Sequence, residues 1–246
     1  MRILRSHPRY ESLKQRHLLV DGVKKGYVAD SGLIAHGRGE AFDYLIGEKT
    51  LKQARCAEEA AVALMLLSER PVVSVNGNTA ALVPKEIVEL ARSLSAGIEV
   101  NLFYRTPKRE RLIERILKKN GAGEVLGVGR KASAKIPLKS ERGKVDPRGI
   151  SSSDAVLVPL EDGDRVEALI SMGKKVVSVD LNPLSRTSQE ATVSIVDNVV
   201  RAIPNMIELA GEMKGWKRKD LMGVYGSFDN RKNLDEIVRI MRRGLI

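Results

Sequence analysis

The chain has 246 residues, room for one large α/β domain, and 43% are hydrophobic but only 4% aromatic, so its core is aliphatic. No apolar run reaches membrane-spanning length, the first residues lack a signal-peptide apolar stretch, and a single cysteine excludes an internal disulfide and a Cys-rich zinc site. Lys and Arg outnumber Asp and Glu by 42 to 31, net +11, which suits nucleic acid, small anionic substrates or merely a solvated basic surface.

In chain order, residues 8–29 and 51–68 read as helices, and Cys56 falls in the second as a small buried thiol. Between them "AHGRGEAFDY" (35–44) sets His36, Arg38 and Glu40 inside an apolar frame, which reads as a Gly-hinged turn forming an anion site. In that turn Glu40 orients Arg38 or starts the following helix. "PVVSVN" (71–76) is a buried strand closed by "NGN", followed by a helix over 83–96. "IEVNLF" (98–103) is a strand, 107–120 a basic amphipathic helix, and "EVLGVG" (124–129) a third strand. Residues 130–150 have no period and read as a long, mobile loop. The rhythm resumes with strands at 154–160, 174–180 and 192–197, a helix at 163–172, and a helix over 198–214 interrupted at Pro204. A last amphipathic helix turns Leu234, Ile237, Val238 and Met241 inward.

Apolar strands alternating with helices predict an α/β, doubly wound, Rossmann-like fold with a mostly parallel sheet. A helical N-terminal segment (1–68), a core (71–214) and a C-terminal extension (215–246) then form a single domain. Such sheets bind ligands beyond the carboxyl ends of their strands, which nominates the loops at 76–78, 104–107 and 180–188. In the first, Gly77 permits close approach of a ligand to the backbone; in the last, Asp180 suits ribose hydroxyls while Arg186 and Thr187 suit phosphate oxygens. Two glycine runs do not count. "GAGEVLG" (121–127) precedes its strand instead of following one, and "GEKT" (47–50) lacks the spacing of a phosphate loop.

Together, "HPRYESL", "GLIAHGRGEAFDYLIGE", "VSVNGN", "EVNLFYRT" and "VDLNPLSRTS" resemble the signature stretches of the archaeal phosphopantothenate synthetases, the 4-phosphopantoate–β-alanine ligases. The resemblance runs in order from His7 to at least Pro204. It implies a Rossmann-like homodimer in which ATP is contacted at positions matching Arg16, Arg38, Asp180, Leu181, Asn182, Arg186, Thr187, Asn198 and Val199. It further implies that 4-phosphopantoate is joined to β-alanine, with ATP going to AMP and pyrophosphate through an acyl-adenylate, in coenzyme A synthesis. Mg²⁺ is expected to arrive with the triphosphate and not in a protein cage.

That chemistry needs fixed cations and N–H donors more than a nucleophile, and the sequence offers arginines and Asn/Gly loops. Arg38 is the expected charge stabiliser, and His36 and Glu40 are candidates for taking the proton of the attacking amine. By position, Asn76, Asn78 and Arg105 are expected to bind the 4-phosphate. The competing expectation is a non-catalytic basic nucleotide- or RNA-binding protein, and the low aromatic content argues against it. A reduced, cytoplasmic protein completes the expectation.

Overall fold

The computed structural model describes residues 4–243. Five short apolar segments meet as one parallel sheet because each is buried on both faces: β1 (Pro71–Val75), β2 (Gly97–Val100), β5 (Ala155–Pro159), β6 (Lys175–Val179) and β7 (Val193–Ile195). Their order is β2-β1-β5-β6-β7, so the chain reverses direction across the sheet at β1 and β5. This is a doubly wound arrangement whose switch point lies between those two strands.

The two sheet faces are covered differently. Val73, Val75, Leu157 and Val177 point to a layer formed by α3 (Lys52–Leu67), α5 (Pro84–Ser93) and α9 (Val199–Met213), with α10 (Arg218–Gly226) packed outside α3. The alanines of α3, among them Ala57, Ala60, Ala61 and Ala63, are completely or almost completely buried and let that helix sit close. Thus α3 belongs to the sheet layer, whereas α1 (Tyr10–Lys25) and α2 (Asp30–Leu45) lie outside it. On the other face Val72, Val156, Val158 and Val176 meet α7 (Gly163–Ser171) and the segment carrying Ile136, Val145 and Ile150. That segment, expected to be a mobile loop, is packed core. It holds the antiparallel pair β3 (Ala134–Lys135) and β4 (Lys144–Val145), and Glu99 of β2 fastens it by accepting from Asp146 N–H at 3.1 Å and Ile150 N–H at 2.6 Å.

Other expectations change for identifiable reasons. The helix read over 8–29 stops at Gly26, which takes the left-handed conformation (φ 82°) that ends α1. The strand at 124–129 is reduced to one parallel bridge, Glu99 to Leu126, where the chain brushes the outer edge of β2. Helix α9 runs unbroken through Pro204, whose ring sits on the exposed side of the helix. Cys56 is exposed and not buried.

Helices entering from the carboxyl edge share one device. Asn76, Thr106, Asp162, Ser185 and Asn198 each accept a backbone N–H in the first turn of α4 (Gly77–Leu82), α6 (Pro107–Lys119), α7, α8 (Arg186–Glu190) and α9. The last helix, α11 (Asn230–Arg243), buries Leu234, Ile237 and Met241 against Leu181 and Val196.

Candidate active site

Helix α2 organises the carboxyl edge. Past β1, Asn78 donates from Nδ2 to the Gly32 carbonyl at 2.9 Å; past β6, Leu181 Cδ1 would lie 3.6 Å from a Cβ on Gly39. Seven residues of helix span about 10 Å, and two strand spacings, β1 to β5 to β6, also span about 10 Å. Helix α2 therefore bridges the strand ends. The stretch expected to be a Gly-hinged turn is helical throughout, and the close approach of α2 falls on Gly32 before it, where a Cβ would lie 2.2 Å from Asn78 Oδ1. Gly77 is likewise required by the chain, because a Cβ there would lie 2.4 Å from the Tyr27 carbonyl oxygen.

His36 lies one turn from Gly32 on α2, and its Nε2 is buried without a hydrogen-bond partner. Burial pushes its pKa below the usual imidazole value, so it is neutral at neutral pH. Arg38 is exposed on the same helix; burial pushes the Asp180 carboxyl above its ordinary range, against hydrogen bonds from Ser185 and Asn182 N–H and the weaker pull of the Arg38 charge. Glu40 serves Arg16 and not Arg38: it accepts from Arg16 Nη2 at 2.6 Å and Nε at 3.1 Å, and from the Ser12 hydroxyl. Burial opposes ionisation of Glu40, but Arg16 and Ser12 outweigh it and hold the carboxyl below its ordinary range.

Of the nucleotide residues implied by the resemblance, Arg38 lies on α2 and Arg16, Leu181 and Asn198 meet it, while Arg186 and Thr187 turn toward α7 and the end of β5. Asn198, at the start of α9, donates from Nδ2 to Gln15 Oε1 at 3.0 Å and to Asp43 Oδ2 at 2.8 Å, which joins α1, α2 and α9. Asp43 also accepts from Arg201, which is clamped in turn on Asp197. Val199 is buried beside Asn198, and Leu181 is buried under α2. In the loop after β6, Asp180 accepts from Asn182 N–H at 3.0 Å and the Ser185 hydroxyl at 2.6 Å, while Asn182 accepts from Leu184 N–H at 2.9 Å. Thr187 donates to the Glu161 carbonyl at 2.9 Å, linking this loop to the end of β5. Arg186 points outward and pairs with Asp164 and, at 2.6 Å, Glu167.

The three residues expected at the 4-phosphate separate. Asn76 ties the switch point together, donating from Nδ2 to the Pro159 and Leu160 carbonyls, both at 3.0 Å, while its Oδ1 caps α4. Asn78 faces α2. Arg105 is turned into the protein, bonded to Glu110 at 2.8 Å and to the carbonyls of Gly127, Val100 and Lys144. Its guanidinium does not join Asn76 and Asn78.

A family profile described as phosphopantothenate/pantothenate synthetase matches residues 53–244. The chain belongs to this family. It is 56% identical to the 4-phosphopantoate–β-alanine ligase of Thermococcus kodakarensis over 98% of this chain and 92% of that protein. The enzymes of the same name from Thermococcus onnurineus and Methanosarcina mazei are 54% and 53% identical, over 98% and 94% of this chain and 93% and 91% of theirs.

In this synthetase-family chain, sequence reasoning missed Ser12, Asp43 and Arg201, which hold the proposed contact residues, and a pair of arginines, Arg109 and Arg142. Arg109 stands in the first turn of a helix entering from the carboxyl edge. That position was the available signal, but the residue was counted with the solvated face of a basic helix.

Proposed function

We propose that the chain is an ATP-dependent ligase that condenses 4-phosphopantoate with β-alanine to 4'-phosphopantothenate in coenzyme A biosynthesis. The observation that carries this reading is identity of 53–56% to ligases of that name along nearly the whole chain. The +11 charge and the basic helix were the only motives for the nucleic-acid-binding alternative, and no geometry adds to them.

ATP lies in this reading along α2 and the ends of β6 and β7. Arg38 and Arg16 face its phosphates, Asp180 and the Asn182 loop take the ribose side, and the start of α9 at Asn198 and Val199 supplies backbone groups. Arg186 and Thr187 complete the set. Among the described residues no three His, Cys, Asp or Glu side chains converge on one point; Mg²⁺ is therefore assigned to the triphosphate, where phosphate and water oxygens satisfy it. It supplies charge neutralisation there.

The substrate carboxylate attacks the α-phosphorus, the α–β phosphoanhydride bond breaks, and pyrophosphate leaves. Charge accumulating on the α-phosphoryl oxygens is met by Arg38, a fixed cation needing no proton. The free amine of β-alanine then attacks the acyl carbon, AMP departs, and the nitrogen loses one proton. Neutral His36, with its free Nε2 beneath α2, is the assigned acceptor. Glu40, engaged by Arg16 and Ser12, holds Arg16 in place. A homodimer and a cytoplasmic setting belong to the same proposal; light scattering tests the former.

Incubation with ATP, Mg²⁺, 4-phosphopantoate and β-alanine tests the function. AMP and 4'-phosphopantothenate are expected in equal amounts. ADP in place of AMP overturns the adenylation route, and no product overturns the function.

A further inference from the structure

At the carboxyl edge stands a half-buried arginine that no carboxylate among the described residues neutralises. Arg109 is half-buried, donates from Nη1 to the Tyr104 carbonyl and from Nη2 to the Tyr27 carbonyl at 3.1 Å, and keeps its Nε buried without a partner. Among the described residues no carboxylate pairs with it. Burial is the sole cause acting on its pKa, which it lowers. The neighbouring arginines differ: Arg105 pairs with Glu110, and Arg165 with Glu161.

Arg109 also has a cationic neighbour. Arg142 of the packed 130–150 segment is almost fully buried, pairs with Glu161 and with Asp162 at 2.9 Å, and feels the like charge of Arg109. Its guanidinium lies 5.7 Å from the ring centroid of Phe103, which packs edge-on against Tyr104; both rings are exposed on the loop after β2. A half-buried cation held only by carbonyls, beside a second cation, carries a desolvation cost that an anion offsets.

Position selects the anion. Arg109 Nη2 would lie 3.3 Å from a Cβ on Gly77, so it stands at the end of β1 by the switch point. The nucleotide residues gather instead at β6 and β7, about 10 Å along α2. The acyl substrate carries a carboxylate and a phosphate at opposite ends of a short branched chain. With its carboxylate at the α-phosphorus, a phosphate extended along α2 toward the end of β1 would reach Arg109.

We propose that Arg109 binds the phosphate monoester of the acyl substrate, and that Phe103 and Tyr104 form the apolar wall beside it. This rests on the ligase reading above. It moves the phosphate site from Arg105, whose charge is paired with Glu110, to an arginine whose charge is not.

The test measures AMP formation by the wild-type enzyme and by Arg109→Gln and Arg109→Lys, with either 4-phosphopantoate or unphosphorylated pantoate as acyl substrate. Loss of one charge-assisted contact predicts that KM for 4-phosphopantoate rises about 30-fold in Arg109→Gln, with KM for ATP within about threefold. The preference for the phosphorylated substrate falls by a similar factor, and competition by inorganic phosphate against 4-phosphopantoate weakens. Arg109→Lys keeps the charge but not the planar fork, and its KM rises about fivefold. That variant decides if the Gln variant does not fold. No AMP from the wild type overturns the ligase reading itself. An active wild type whose variants keep both KM and phosphate preference overturns only the Arg109 assignment, as does a rise confined to KM for ATP.

Discussion

Glu58 offers a test of how the buried polar network beneath the site is maintained. It lies on α3 with no exposed surface, accepts from Asn205 Nδ2 at 3.1 Å through Oε1, and leaves Oε2 without a hydrogen bond. Arg55 approaches Oε2 only to 3.7 Å and is itself one-third exposed, so it compensates little. Burial, reinforced by nearby Asp197, pushes the Glu58 pKa from 4.5 up to about 8, against the opposing hydrogen bond from Asn205. The folded state therefore keeps a proton that the unfolded chain releases from about pH 4.5 upward. Stability falls as pH rises through the window between these values, and the cost is complete above about pH 8. At pH 7, about 2.5 units into that window, the cost is roughly 3 kcal/mol. Glu58→Gln keeps an acceptor for Asn205 and removes the titration. Its advantage over wild type is expected to be near zero at pH 4.5 and roughly 3 kcal/mol at pH 7, about 5–10 °C in Tm. Urea unfolding and thermal melts of both proteins between pH 4.5 and 8.5 measure it. A difference that stays constant across that range, or a Gln variant less stable at pH 7, refutes the reasoning.

Three further outcomes concern the site. Arg38→Ala is expected to lose at least about tenfold in kcat/KM with an unchanged melting curve, because the side chain is exposed and makes no core contact; wild-type activity removes Arg38 from the site. His36→Gln is expected to lower kcat about 100-fold, and the wild-type kcat should fall only below the ordinary imidazole pKa, since burial shifts this group downward and protonation silences it. A kcat reduced less than about fivefold excludes His36 as the proton acceptor. Glu40→Gln preserves an acceptor for Ser12 but loosens Arg16, so KM for ATP is expected to rise about tenfold; a change seen only in KM for β-alanine contradicts the assignment.

The amino-acid sequence by itself determined the layers. Segments such as "PVVSV" and "KVVSV" are β-branched and apolar on both sides of the pleat, so only a sheet covered on both faces can hold them, and the intervening helices supply the covers. It also exposed the loop after β6, since Asp, Asn and Pro at a strand end have few other uses. Tertiary structure alone decided what those polar residues do. Asn76 read as a ligand contact or a polar turn, and Asn198 as a ligand contact or a helix cap; the structure makes both caps, with Asn198 further engaged by Gln15 and Asp43 from two other helices. The glycines of "AHGRGEAFDY" suggested a hinge because local propensity disfavours glycine in helices. Packing overrode propensity: neighbouring Gly32 allows α2 to lie close on the end of β1, and Arg38 stays exposed while His36 Nε2 is buried. The pairing of arginines was equally hidden. Whether a guanidinium is neutralised depends on carboxylates far away in sequence, such as Glu161 for Arg142, and charge counts cannot reveal it. Only the folded chain shows that Arg105 is paired with a carboxylate while Arg109, four residues later, is held by carbonyls alone.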